Sequence, residues 1–178
     1  MRVSLIGRLG SLAALALSLG CGSSTDPLGS VSLSATIDGA SWVPGGPGEE
    51  IVATIYQGDN TLAVSGLRVS TSPPHSEGLR LAVLGVTGPG TYPLGGTDGS
   101  RYASYQVVQG LLGDPGFSIV TYFTTAESGG TVVITQLDPN AHTIQGTFTF
   151  VGQFDDQAVV VTNGSFSGHY EVQAGNGS

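Results

Sequence analysis

Short apolar runs with a period of two residues constrain the fold of this chain more than any other feature. Val31, Leu33, Ala35 and Ile37 alternate with polar residues, which is the pattern of a strand that buries one face and exposes the other. Similar runs recur along the chain between Gly, Pro, Asp and Asn, and no stretch of a dozen residues keeps a helical period. The sequence therefore predicts an all-β protein.

About nine strands are expected from these runs, and all nine prolines fall outside them. Consecutive hairpins favour antiparallel pairing, either in a meandering barrel or in a curled β-sandwich, and the pattern does not choose between the two. The predicted strands are residues 31–37, 50–57, 61–70, 79–86, 102–108, 117–125, 131–137, 143–151 and 158–170. The residues predicted to fill the core are Leu33, Ile37, Leu81, Val83, Ile144, Phe148 and Phe150.

Turn residues between the runs predict where the chain reverses. Asp138-Pro139-Asn140 indicates a hairpin, Gly88-Pro89-Gly90 a sharp reversal, and Asn163-Gly164 a bend within the last strand. The buried parity changes at Gly66, which predicts a bulge there. Asp38-Gly39 allows a turn with positive φ, after which Trp42 is expected to fold back and plug one end of the core rather than serve as a stacking platform for a sugar.

Cys21 is the only cysteine, and it follows a segment that is typical of a bacterial lipoprotein signal. Arg2 and Arg8 precede an apolar core over residues 9–19, which is too short to span a membrane. We expect cleavage before Cys21 and lipid attachment to its thiol, although Ser18 stands where such signals usually carry Leu. Two or more acyl chains anchor a protein stably, because one chain gives only marginal binding. Lipoproteins that stay at the inner membrane often have aspartate directly after the lipidated cysteine, whereas this chain has Gly22. The hypothesis is therefore that the protein is located at the outer membrane.

This prediction divides the chain into three parts. Residues 1–20 form the signal peptide, residues 21–30 a flexible Gly/Ser-rich tether, and residues 31–178 one all-β domain. Removing the signal takes away two of the five basic residues and none of the thirteen acidic ones, which leaves a net charge of −10. No lysine is present, so nucleic acid is not an expected partner.

Reactive constellations are not apparent. The sequence has no G-x-S-x-G or H-E-x-x-H motif. The three histidines, His75, His142 and His169, are scattered, so a zinc site is not predicted. Asp155 and Asp156 are adjacent carboxylates within a predicted turn. They could bind calcium together with Asp98 or Asp114 only if the fold brings these residues together, and the sequence shows no calcium-loop spacing. No catalytic residue, metal or cofactor is therefore assigned.

An ordered series of turn motifs resembles a known group of proteins. Residues 35–39 (ATIDG) precede Trp42, and the series continues with residues 90–92 (GTY), 130–132 (GTV), 146–148 (GTF) and 161–166 (VTNGSF). The series resembles a family of uncharacterised bacterial envelope lipoproteins whose domains open with A-x-I-D-G-x-x-W and close with G-T-F-x-F and T-N-G-x-F. The resemblance implies an envelope location and a β domain, and it assigns no activity and no catalytic residues.

Two classes of function remain open. The favoured one is a lipid-tethered binding or interaction module that contacts the membrane through the lipid on Cys21 and recognises an envelope protein or a small apolar ligand in the mouth of the fold. The alternative is a hydrolase whose carboxylates meet only in the folded protein. Within the first class, an open cavity lined by aromatic residues would indicate a small ligand, and a filled interior with an exposed apolar patch would indicate a protein partner. The second class requires a groove that holds two acids with separated pKa values.

Overall fold

Twelve β-strands make up the regular structure of the described residues. The computed structural model describes residues 31–46, 48 and 50–174, so the predicted signal peptide, the tether with Cys21, and residues 175–178 lie outside the described part. The strands are β1 Ser32–Ile37, β2 Ala40–Trp42, β3 Ile51–Tyr56, β4 Thr61–Thr71, β5 Pro74–Val83, β6 Gly90–Leu94, β7 Arg101–Gln109, β8 Ser118–Phe123, β9 Gly130–Asp138, β10 Thr143–Phe154, β11 Gln157–His169 and β12 Glu171–Gln173.

All twelve strands belong to one open sheet, which confirms the predicted all-β class. Its main path runs β12-β3-β4-β5-β7-β8-β10-β11-β1-β2. Strand β9 pairs with the first part of β10 and carries β6 on its other side, while β8 meets β10 only at Phe123 and Gln153, so the sheet branches at β10. Pairing is antiparallel except between β12 and β3. Among the described residues, no helix is long and apolar enough to cross a membrane.

The sheet curls until its two halves enclose a single core. A Cβ atom added to Gly66 in β4 would lie 2.7 Å from Leu33 of β1 and 3.5 Å from Trp42 of β2, although these strands are far apart in the strand order. A single isolated bridge also joins Gly45, just after β2, to Arg68 of β4. The result combines both predicted forms, because one continuous sheet closes over the core as a sandwich does without becoming a hydrogen-bonded barrel.

The core is filled by the residues that the alternating pattern predicted. Each predicted core residue is less than 9% exposed: Leu33, Ile37, Leu81, Val83, Ile144, Phe148 and Phe150. Trp42 is 1% exposed, so it fills space as expected and offers no face for a sugar. Among the described residues its Nε1 is the buried side-chain polar atom that has no hydrogen-bond partner.

Three short strands account for the difference between the nine strands expected and the twelve observed. Strands β2 and β12 contain three residues each, too few for an alternating pattern to be recognised. Strand β6 has five residues but contains Pro93, which argues against a strand, and β5 begins at Pro74. These positions are compatible with proline because β6 is an edge strand and Pro74 is the first residue of its strand.

The predicted bulge at Gly66 is wrong. Gly66 pairs with Ile51 on one side and with Leu79 on the other, without a shift in register. The strand is regular, and what changes at Gly66 is the face that carries the apolar side chains: Leu62 and Val64 point into the core, whereas Leu67 and Val69 lie on the other face. Gly66 itself leaves the space into which Leu33 and Trp42 pack.

The turn predictions at Asp38-Gly39, Asn163-Gly164 and Asp138-Pro139-Asn140 agree with the structure. Asp38 and Gly39 have φ values of 48° and 83° and connect β1 to β2. The register of β10 and β11 shifts opposite Asn163, whose φ is 49°, so the predicted bend is a bulge. Asp138 stabilises the β9–β10 turn by accepting hydrogen bonds from the backbone N–H groups of Asn140 and Ala141, at 2.8 and 3.0 Å.

Candidate functional site

A cluster of three side chains, Arg68, His75 and Glu77, lies on the inner face of β4 and β5, beyond the apolar core. We call it the Glu77 cluster. Arg68 and Glu77 are direct cross-strand neighbours, and Arg68 Nη2 donates to Glu77 Oε2 at 2.5 Å. His75 Nε2 lies 3.0 Å from Glu77 Oε1 and donates to it, because a carboxylate can only accept. Both oxygens of the buried Glu77 carboxylate are thus engaged.

Burial and charge act in opposite directions on Glu77. Burial alone would raise the pKa of Glu77, but the hydrogen bond from His75 and the charge of Arg68 outweigh it, and the pKa lies below its ordinary value. The nearby Tyr105 is buried, and burial together with the Glu77 carboxylate raises the pKa of its phenol. Glu77 is therefore an ionised, paired carboxylate at neutral pH, and Tyr105 is a neutral phenol.

Three described carboxyl groups have pKa values shifted away from the range that a general acid needs. A general acid at neutral pH requires a raised pKa. The pKa of Glu77 is lowered, and so are those of Asp98 and Asp138, each of which accepts hydrogen bonds from backbone N–H groups in its own turn. The pKa values of these three carboxyl groups are shifted in the direction opposite to the one that a proton donor needs.

The histidines and paired aspartates named above lie in different places. His75 belongs to the Glu77 cluster, whereas His142 lies in the β9–β10 turn, where its ring is 5.5 Å from that of Tyr170. His169 ends β11 and pairs with Thr143. Asp155-Asp156 forms the β10–β11 turn, while Asp98 and Asp114 lie in two other connections. Within the described ranges, no three His, Cys, Asp or Glu side chains come close enough to hold a metal ion.

A concave depression occupies the outer face of β4, β5, β7 and β8. Its volume is about 390 Å³, within the range of small-molecule sites. One row of paired residues crosses it from strand to strand: Ser65, Arg80, Ser104 and Phe123. The next row contains Leu67, Gly78, Gln106 and Thr121.

Glycine at position 78 makes this surface concave. A Cβ atom there would meet only Leu67 Cδ1, at 4.0 Å, so the space above Gly78 is open. The rims are formed by Gln106, whose Nε2 donates to Thr121 Oγ1 at 2.9 Å, and by the aromatic rings of Tyr102 and Phe123. Phe123 is 48% exposed, and its ring centroid lies 6.5 Å from that of Tyr102.

Arg80 is the charged group of the depression. Its guanidinium carbon lies 5.9 Å from the centre of the Tyr102 ring, a typical cation–π distance. The two ion pairs found within the described part of the chain both involve Glu77, and neither involves Arg80. No Asp or Glu lines the depression.

An apolar surface continues from the depression toward the ends of these strands. Val69 and Val108 lie on the outer face near Ile119, which is 54% exposed. In the following loop Leu111 and Leu112 are 60% and 88% exposed. A second depression of about 380 Å³ lies here, between the β4–β5 turn and Leu111. Both depressions lie on the outer surface of the sheet.

Comparison with known proteins gives one match. Residues 30–169 match DUF6252, a domain of unknown function. The chain belongs to the DUF6252 family. No match was found among curated proteins, and none was found among solved structures. Membership confirms an uncharacterised domain family, as the order of the turn motifs had suggested.

The DUF6252 region includes both the Glu77 cluster and the outer depression. Sequence reasoning assigned neither of them. For the cluster a signal existed, because Arg68 and Glu77 are placed nearly symmetrically about the turn at residues 72–73 and therefore pair in a hairpin. For the depression the signal was Gly78 inside a strand, since an interior glycine often marks a close approach or an open site.

Proposed function

We propose that the protein is a lipid-anchored component of the bacterial cell envelope that binds a small ligand in the depression on the outer face of β4, β5, β7 and β8. The observation that carries this proposal is the depression itself, where a glycine floor, two aromatic rings and an arginine without a carboxylate partner adjoin one another. Apolar rings with a few convergent polar groups are the usual composition of a ligand site.

The anchor rests on the sequence at the start of the chain. An apolar segment of eleven residues, followed by Gly20 and Cys21, has the length and ending of a lipoprotein signal. The acidic composition agrees with this, since a surface with net charge −10 is repelled by anionic lipid headgroups and needs a covalent lipid to stay at the membrane. We propose the outer membrane as the location because residue 22 is glycine and not the aspartate that serves as an inner-membrane retention signal.

Binding without catalysis is the form of function that we propose. Glu77 is held by Arg68 and His75, and Asp98 and Asp138 by backbone N–H groups, which explains these carboxylates as structural groups. A small ligand is favoured over an envelope protein as the partner, because the depression has the size of one substituted ring rather than of an extended interface. Nucleic acid is not proposed as a partner, since only three cationic residues follow Cys21.

The anchor is tested by replacing Cys21 with serine. Cys21→Ser removes the thiol that would carry the lipid, so we expect the protein to move from the membrane fraction to the soluble fraction. The measurement is fractionation in high salt, which removes proteins held only by charge, followed by separation of inner and outer membranes. A variant that stays in the membrane under these conditions would refute the anchor. Mass spectrometry of the wild-type protein provides the control by showing the acyl chains on Cys21.

The site is tested by filling its floor. Gly78→Leu places a side chain into the open space of the depression, and the nearest side-chain atom to the new Cβ is 4.0 Å away, so folding should persist. In a thermal-shift screen of small molecules and glycans on the full-length protein in non-ionic detergent, compounds that raise the Tm of the wild type should not raise that of Gly78→Leu. Thr147→Leu, which fills a separate depression of about 350 Å³ at β9, β10 and β11, is the matched control and should respond as the wild type does. If Gly78→Leu responds to every hit as the wild type does, ligands bind elsewhere.

A further inference from the structure

Among the three arginines of the described residues, Arg80 differs in its surroundings. Arg68 forms an ion pair with Glu77, and Arg101 Nε donates to the carbonyl oxygen of Leu84 at 3.0 Å. Arg80 has neither an ion pair nor a protein hydrogen-bond acceptor among the described residues, and it is exposed. Its five N–H donors are therefore available to a ligand.

The charge of Arg80 is unusual for its location. The whole chain carries a net charge of −8 and thirteen acidic residues, yet the residues that line the depression include Arg80 and no acid. A local positive charge on an acidic protein attracts an anion to that place, whereas the acidic remainder of the surface repels it. The planar guanidinium also matches the geometry of a carboxylate, to which it donates two parallel hydrogen bonds.

The row that contains Arg80 also contains an aromatic ring at a suitable distance. Phe123 lies two strands away from Arg80, with Ser104 between them, which corresponds to about 10 Å between Cα atoms. Ser104 is small and 8% exposed, and it lines the depression together with Tyr102, whose ring lies close to both the Arg80 guanidinium and the Phe123 ring. A volume of about 390 Å³ is equivalent to about thirteen water molecules, enough for a single substituted six-membered ring.

From these observations we infer that the depression binds a six-membered ring carrying a carboxylate, with the carboxylate at Arg80 and the ring against Phe123. Ser65, Ser104 and Gln106 supply hydroxyl and amide groups around the ring. A uronic acid and an aromatic carboxylic acid share this chemistry. The inference rests on the proposed function, because it names the ligand class of the same site.

Paired probes test the role of the carboxylate. The full-length protein in non-ionic detergent is titrated by calorimetry with glucuronate and glucose, and with benzoate and benzyl alcohol; within each pair the two rings match and only one carries a carboxylate. We expect one acid to bind at least about tenfold more tightly than its neutral partner, the contribution of a charge-assisted pair of hydrogen bonds. Preference for glucuronate identifies a sugar acid, and preference for benzoate an aromatic acid.

Variants separate this inference from the proposed function. Arg80→Gln should abolish the preference for the acid, whereas Arg101→Gln should keep it. Arg101 is the matched control because it also lies over an aromatic ring, 5.6 Å from the centre of Tyr92, and its loss changes the net charge equally. Unfolding temperatures of both variants show that they remain folded.

Each outcome has a defined meaning. Equal binding of acid and neutral probes, or a preference that survives Arg80→Gln, would refute the recognition of a carboxylate by Arg80. The proposed site would still stand if Gly78→Leu abolishes binding. Acid-selective binding that persists in Gly78→Leu shows that the depression is not the site, and both proposals then fail. If none of the four probes binds, the inferred ligand class is wrong, and the screen described above decides the function independently.

Discussion

Strand β4 carries its apolar side chains on opposite faces in the two parts of its length, and its partner β5 has an apolar inner face in the first part and a charged one in the second. In the first part, Val64 and Leu81 point inward into the core, and the outer face carries Ser65 and Arg80. In the second part the inner face carries the ion pair of Arg68 and Glu77, while Leu67 and Val69 of β4 lie on the outer face. The strands remain regular through the change.

This difference shows that the extent of the core determines which face of a strand is apolar. Inside the core, an inward side chain is removed from water and must be apolar or paired. Beyond Gly66 and Leu79 the inner side chains of β4 and β5 are polar, and Glu77 is tolerated because Arg68 and His75 satisfy its carboxylate. The outer face there carries Val69, Val108 and the exposed Ile119. The ligand depression lies on the outer face at this transition.

The comparison is tested most strongly by adding a side chain to each of two glycines. Gly66→Val should destabilise the protein by about 3 kcal/mol, because even its Cβ would lie 2.7 Å from both Leu33 Cδ2 and Pro44 Cγ. Gly78→Val should leave stability unchanged or raise it by up to about 1 kcal/mol, because the outer face is open and valine favours strands. Urea denaturation of the two variants measures both effects. Equal losses at the two positions would mean that the inner and outer faces do not differ as described.

A smaller effect is expected from the ion pair in the second part of the strands. Glu77→Gln keeps the shape of the side chain and removes its charge, so Arg68 and His75 lose a charge-assisted acceptor. We expect a loss of about 1.5 kcal/mol in the free energy of unfolding at pH 7. Arg80→Gln, which breaks no ion pair, is the control and should change stability by less than about 0.5 kcal/mol.

The same variant predicts a pH dependence. Because the pKa of Glu77 is lower in the folded protein than its ordinary value of 4.5, its stabilising effect is complete above 4.5 and is lost as the pH falls through the folded pKa. The stability difference between the wild type and Glu77→Gln should therefore be largest at neutral pH and shrink below pH 4.5. Asp98 and Asp138 titrate in both proteins and cancel in this difference. A difference that stays constant from pH 7 to pH 3 would contradict the ionised state of Glu77.

Much of the fold was predictable because alternation and turn chemistry are local. The period of two identified the inward residues Leu33 and Phe148, and Asn163-Gly164 identified the bulge in β11. The parity change at Gly66 was visible too, but a bulge and a change of apolar face give the same pattern in one strand. Only the pairing with Ile51 and Leu79 distinguishes them.

The candidate site was less predictable because it depends on the register of three strand pairs at once. Ser65 and Arg80 pair within one hairpin, but nothing in the local sequence aligns Arg80 with Ser104 or Ser104 with Phe123. The pairing of β8 with β7 is set by the whole sheet, and the long loop between them separates Phe123 from its neighbours in the chain. A depression is a property of such a row, where small and large side chains adjoin, and it has no counterpart in any single segment.

Pro93 has a consequence for molecules held close together. It lies in β6, which forms one edge of the sheet. An uncovered sheet edge invites strands of neighbouring molecules to add to it, and proline interrupts the line of donors that such growth requires. Copies tethered to one membrane, as we propose for this protein, would meet their neighbours constantly, and this residue should then help to keep each copy separate and prevent fibril formation.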